Sequence, residues 1–132
     1  MIDRPRLEQR LRELYEARMN GPLDRLCGLF GSGVHFRIAG TSDGKPIAIA
    51  AQGLDAVRPW LSMLVKTFRL SNHQVLSLLV DGNRAAVHWS ASVHSRITGT
   101  QVNTEFVDLI ELQDLQIVSY VEFFVPLGGA TQ

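Results

Sequence analysis

From Asn72 to Val125 the chain reads as four alternating runs separated by turn signals, and this stretch limits the available folds more than any other. The runs are "NHQVLSLLV", "RAAVHWSASVHS", "QVNTEFVDLIEL" and "QIVSYVEFFV", with turns at Asp81-Gly82, Thr98-Gly99 and Gln113 to Leu115. Alternation at a period of two, punctuated every dozen residues, predicts an antiparallel meander. What precedes it has helical spacing. Leu7, Leu11, Leu14, Tyr15 and Met19 share one face, with Asp3 as a cap and Pro5 in the first turn, so a helix ending near Asn20-Gly21 is expected.

Pro22 opens a second, shorter helix with Leu23, Leu26, Cys27 and Phe30 on its apolar stripe and "GSG" at its end. "VHFRIA" and "IAIAA" read as strands around the turn "TSDGKP". "QGLDAVRPWLSMLVKTFRL" is a third helix that buries Leu54, Val57, Leu61, Leu64, Val65 and Phe68. Pro59 requires that it either start near Arg58 or kink there. Helices first and strands after predict an α+β fold with the helices on one face of a curved sheet. At 132 residues the chain makes one domain over 1–132, with 126–132 ("PLGGATQ") as a loose tail.

Charge excludes several functions. Thirteen basic residues balance thirteen acidic ones, so no net field draws a nucleic acid or an anionic membrane. The arginines of "DRPRLEQRLRELYEARMN" alternate with Glu8, Glu13 and Glu16 and read as a solvated helix face. No apolar run reaches the roughly 20 residues of a membrane span, and a cytoplasmic location is the default. A lone cysteine, Cys27, excludes an internal disulfide and reads as packing. His88 and His94 lie six strand positions apart, about 20 Å, too far to share a metal. His35 alternates with Val34, Phe36 and Ile38 and so faces outward, while His73 begins a strand and reads as a rim residue. No metal site, nucleotide loop or other cofactor site is expected.

Within "VNTEFVDLIEL", Val102, Thr104, Phe106, Asp108, Ile110 and Leu112 share the face with more apolar bulk. That makes it the inward face and puts an acid, Asp108, inside. Trp89 faces inward with Ala91 and Val93, and Trp60 on the third helix reads as another wall. On the opposite face Ile117, Val121, Phe123 and Val125, with Val107 and Leu109, form an apolar surface where a sheet facing water should be polar. A second copy of the chain, forming a homodimer, is the expected cover.

In the order and spacing of "LYEARMNGPLDRLCGLFGSGVHFRIAG", "GLDAVRPWL", "VDGNRAAVHWSASVH" and "TEFVDLIELQDLQIVSYVEFF" the chain resembles the SnoaL-like and ketosteroid-isomerase-like branch of the NTF2-like superfamily. The resemblance implies a cystatin-like cone: three N-terminal helices on a strongly curved, mainly antiparallel sheet enclosing an apolar pocket, often in homodimers. It also implies a hydrogen-bonding tyrosine on the first helix, where Tyr15 falls, and a protonated acid in the penultimate strand, where Asp108 falls. The general base of ketosteroid isomerases would stand at Ile38, which cannot abstract a proton and so speaks against that mechanism. The family register turns Tyr120, Glu122 and Phe124 inward. If 112 pairs with 118, Asp108 and Glu122 become direct neighbours with Cβ atoms roughly 5 Å apart, and one of them should keep its proton. Arg37, Arg58 and Arg96 are the other partners open to Glu122, as is solvent at the cone mouth.

The expected function is binding of a small apolar ligand by Trp60, Trp89, Phe106, Tyr120, Phe124 and Ile38, with Asp108, Tyr15 and Glu122 as polar or catalytic groups. Cofactor-free acid/base chemistry on a carbonyl or hydroxyl compound fits those groups. A non-catalytic binding or assembly module of the same fold is the alternative.

Overall fold

A computed structural model describes residues 3–129. Helix α1 (Arg4–Asn20) and the short α2 (Leu23–Cys27) precede strands β1 (Phe30–Ser42) and β2 (Lys45–Gln52). Helix α3 (Leu54–Thr67) then leads into β3 (Phe68–Asp81), β4 (Arg84–Ser95), β5 (Gln101–Gln113) and β6 (Gln116–Gly129). The Asp3 side chain caps α1 by accepting from the Arg6 amide, and Gly21, at φ 61°, closes it with its own amide on the Ala17 carbonyl. α2 stops earlier than its apolar spacing suggests. Phe30 belongs to β1 instead, and its amide-to-carbonyl pairing with β6 outcompetes a helix only five residues long.

α3 begins at Leu54, with Gly53 as cap, so Pro59 lies inside it and only one backbone bond near the first turn is forgone. Phe68 leaves the helix and starts β3.

The six strands form one curved sheet in the order β2-β1-β6-β5-β4-β3. All neighbours are antiparallel except β1 and β6, which pair in parallel. The helices cover the concave face, and the core lies between them and the inward residues Phe36, Val87, Trp89, Phe106, Ile110 and Tyr120. Gly40 sits where the sheet closes on Phe124: a Cβ there would come within 2.5 Å of the Phe124 ring and 2.6 Å of its carbonyl oxygen.

Two bulges set which side chains face inward. In β6 the register with β5 runs Glu111↔Ser119 and then Leu112↔Ile117, leaving Val118 as the extra residue. Ile117, expected on the outer face, is therefore turned into the core and fully buried. In β3 the pairing passes from Ser71↔Ser92 to Gln74↔Ser90, so Asn72 and His73 oppose Ala91 alone. Asn72 has φ 55° there. β6 continues past Val125: Pro126 pairs with Thr104 and Gly128 with Asn103, so residues 126–129 are strand where a tail was expected. Residues 130–132 of that tail lie outside the described residues. No helix of the described residues is long and apolar enough to cross a membrane.

Candidate functional site

Adjacent strands put the two acids side by side. Asp108 pairs with Glu122 across β5 and β6, and the same rung continues to Val87 on β4 and Ile38 on β1. Apolar neighbours at both ends of the rung and the helices above it leave Asp108 0% and Glu122 1% exposed. Ile38 is thus beside Glu122, and the strand position that would carry a base in a ketosteroid isomerase contributes only desolvation.

The hydrogen bonds within this layer are dense. Tyr15 Oη donates to Asp108 Oδ2 at 2.6 Å and Trp89 Nε1 donates to the same oxygen at 2.8 Å. Tyr120 Oη lies 2.8 Å from Glu122 Oε2 and 3.0 Å from Asp108 Oδ2, and it accepts from Arg18 Nη1 at 2.7 Å. Arg18 binds Glu122 in a fork, Nη1 to Oε2 and Nη2 to Oε1, the second at 3.0 Å. Its guanidinium lies 5.1 Å from the Trp89 ring centroid and 5.6 Å from that of Phe106. Trp89 and Phe106 are themselves stacked at 3.8 Å.

Arg18 is the residue that sequence reading missed. The arginines of α1 were expected on a solvated face, yet Arg18 is only 7% exposed and is the true partner of Glu122. The three arginines considered for that role are engaged elsewhere: Arg58 with Asp24, Arg96 with the carbonyls of Val65 and Lys66, and Arg37 over the outer Phe123 ring. A signal was present. Arg18 follows Leu7, Leu11 and Leu14 at the i+11, i+7 and i+4 positions, on the buried stripe rather than beside it.

Charge balance separates the two acids. Burial raises the Asp108 carboxyl well above its ordinary value, and the neighbouring Glu122 charge adds to this. The Arg18 charge and the Tyr15 hydroxyl on Oδ2 favour the carboxylate, but they do not outweigh burial and a second negative charge beside it. Burial also works against the Glu122 carboxylate, yet the Arg18 guanidinium overcomes it and holds Glu122 below its ordinary value. Arg18 and Glu122 thus form the charged pair, and the Asp108 carboxyl beside them is the raised one. Burial keeps the hydroxyl of Tyr15 protonated, with Asp108 reinforcing it.

Among the other expected ligand residues, Trp89, Phe106, Tyr120 and Ile38 are buried in this layer, while Trp60 and Phe124 are half-buried at its edges. His73 joins the cluster as well. Its ring centroid is 5.2 Å from those of Tyr15 and Trp89. His35 is exposed and His88 bonds Glu105 on the outer face at 2.6 Å. The described residues hold no group of three or more His, Cys, Asp or Glu able to bind a metal.

Four buried side-chain atoms among the described residues lack a hydrogen-bond partner: Arg18 Nε, His73 Nε2, Asp108 Oδ1 and His94 Nδ1. Three of the four belong to residues that adjoin Trp89.

Solved structures share this architecture. A candidate isomerase from Rhodopseudomonas palustris superposes with a TM-score of 0.77 at 18% identity, over 94% of this chain and 91% of that one. An NTF2-like protein from Burkholderia xenovorans LB400 gives 0.75 at 15%, over 94% and 92%. An LEH-like epoxide hydrolase of M. tuberculosis gives 0.70 at 12%, over 91% and 83%. At such identities the likeness concerns the fold. No curated protein matches the sequence. The SnoaL-like domain family matches residues 11–120, from the buried stripe of α1 to Tyr120 in β6, and the chain belongs to that family.

Proposed function

We propose that this is a small-molecule-binding protein of the SnoaL-like family that carries out cofactor-independent acid/base chemistry at the Tyr15, Arg18, Asp108 and Glu122 cluster. The observation that carries the reading is the grouping of unpartnered buried polar atoms: Arg18 Nε, a donor, and Asp108 Oδ1 in one apolar layer. Unpaired buried polar atoms are rare because each costs about 1–3 kcal/mol, and functional sites are where they persist. Asp108, whose carboxyl burial and the Glu122 charge raise, is the proton donor, and Glu122 is the carboxylate that Arg18 steadies. Trp60, Trp89, Phe106, Tyr120, Phe124 and Ile38 supply apolar walls suited to a small carbonyl or hydroxyl compound. A candidate isomerase and an epoxide hydrolase among the structural neighbours make such a use of the fold reasonable.

The test uses para-nitrophenol as a small hydroxylated probe and indole-nitrogen-labelled protein. Binding should move the Trp89 Nε1–H signal, and Asp108→Asn or Tyr15→Phe should weaken it at least several-fold. A Trp89 signal indifferent to millimolar probe would set the reading aside.

A non-catalytic module is the second reading, and one observation favours it. Two cavities, about 450 Å³ on the outer face among Leu79, Arg84, Ala86, Leu109 and Val121, and about 330 Å³ beside α1 and Leu115, lie outside the cone. Under that reading the buried cluster serves stability, and the outer sheet face is the working surface. Val107, Leu109, Val121 and Phe123 suit a homodimer contact there, for Val107, Leu109 and Phe123 are exposed in the single chain.

A further inference from the structure

We propose that His73 is the proton acceptor of the site, filling the role that Ile38 cannot. The inference rests on the acid/base reading above and names a group that reading does not use. Its basis is backbone geometry. Simple alternation from Ser71, which pairs with the outward Ser92, would send His73 outward too. The extra residue at Asn72, held at φ 55°, reverses the parity so that His73 turns against Tyr15 of α1 and Trp89 of β4, ring centroids 5.2 Å away in both cases. Bulges that re-aim a side chain belong next to active sites more often than elsewhere.

Once turned inward, the imidazole is left with something to do. Nε2 is buried and has no hydrogen-bond partner, so with its proton on Nδ1 the ring offers a free lone pair beside Tyr15 and Trp89, the two residues that bond Asp108. The elements around it present Tyr15 and Arg18 from α1, Trp89 from β4, Asp108 from β5 and Glu122 from β6. Burial, then the Arg18 charge, lowers the imidazole below its ordinary value of 6.5, which leaves it unprotonated at neutral pH.

For a carbonyl compound the step balances without a co-reactant. Nε2 takes a proton from the carbon next to the carbonyl, and that C–H electron pair becomes the C=C bond of an enolate. The oxygen charge is met by the Arg18 Nε–H and by the protonated Asp108. Where the enolate extends to a second carbon, as in a compound with a β,γ double bond, the imidazolium then returns its proton to that carbon as the double bond shifts, which is an isomerisation.

Nitrobenzisoxazole tests this directly, because its ring opens when a base removes one C–H: the C–H pair completes a nitrile, the N–O bond breaks, and a coloured phenolate leaves. Wild-type protein should accelerate the opening with kcat/KM rising through a single ionisation below pH 6.5. His73→Gln should lower kcat by roughly 100-fold with KM within about twofold. His73→Ala should behave alike, with imidazole in the buffer restoring part of the rate. Circular dichroism and thermal melting establish that both variants are folded. A rate unchanged in both variants overturns the assignment. A rate lost in Asp108→Asn or Glu122→Gln but kept in His73→Gln moves the base to the carboxyls, overturning His73 while the acid/base reading stands. Absence of acceleration by wild-type protein that still binds para-nitrophenol overturns His73 as a base, whereas absence of both removes the parent reading too.

Discussion

Arg18 is the side chain on which the buried cluster depends electrostatically, because it binds Glu122 directly and its charge also acts on the neighbouring Asp108, two carboxyls that water does not reach. Removing its partner leaves a buried charge uncompensated, so Glu122→Gln should cost about 3–5 kcal/mol in urea unfolding. Replacing both members, as in Arg18→Met with Glu122→Leu, should recover most of that loss, since well-packed apolar groups match a buried pair. Asp108 obeys the opposite sign. Its folded pKa is raised, so its contribution is present below the ordinary carboxylate value and is lost as pH rises through the folded value. Asp108→Asn removes that loss, so its stability relative to wild type should rise in urea melts as pH climbs above the ordinary carboxylate value. Glu122 and His73, both lowered, work in the other direction: their contributions are present above their ordinary values and fall away as pH drops through the folded ones. Acid should therefore unfold the wild-type protein through these two.

At the scale of elements, the informative features are the irregular ones. The parallel seam between β1 and β6 closes only because Gly40 carries no side chain against Phe124. Gly40→Ala should destabilise by roughly 2 kcal/mol, as overpacking does, and differential scanning calorimetry would register it as a drop in Tm. The two bulges explain where alternation misled. Ile117 and His73 each lie next to an extra residue, and one extra residue inverts the face of everything on its far side until the register is restored. For Asp108 and Glu122 the parity held, because the body of the hairpin keeps an uninterrupted register from Thr104↔Pro126 to Glu111↔Ser119. The bulge at Asn72 is also open to test: Asn72→Val, a β-branched residue at φ 55°, should cost about 1–2 kcal/mol in chemical denaturation, while Asn72→Gly should stay close to wild type.

For the whole molecule, the outer sheet face carries the next prediction. Leu79 is 68% and Val125 58% exposed, and with Leu109 and Phe123 they form an apolar surface on the convex side. Sedimentation equilibrium at micromolar concentration should give a dimer, and Leu109→Glu should give a monomer of unchanged helix content; a wild-type monomer would remove the dimer proposal. The helix-then-meander order, the α+β class, the inward placement of Asp108 and the caps of α1 follow from the sequence alone, because periodicity and turn chemistry are local and survive without knowledge of neighbours. The partner of Glu122 and the position of His73 did not. Those depend on which helix crosses which strand and on single extra residues in β3 and β6. Its place on the apolar stripe marks Arg18 as buried, but nothing in the sequence names the carboxylate it meets. Only the closed tertiary structure brings residue 18 to residue 122, where burial raises the Asp108 carboxyl while the Arg18 charge, against that same burial, lowers Glu122.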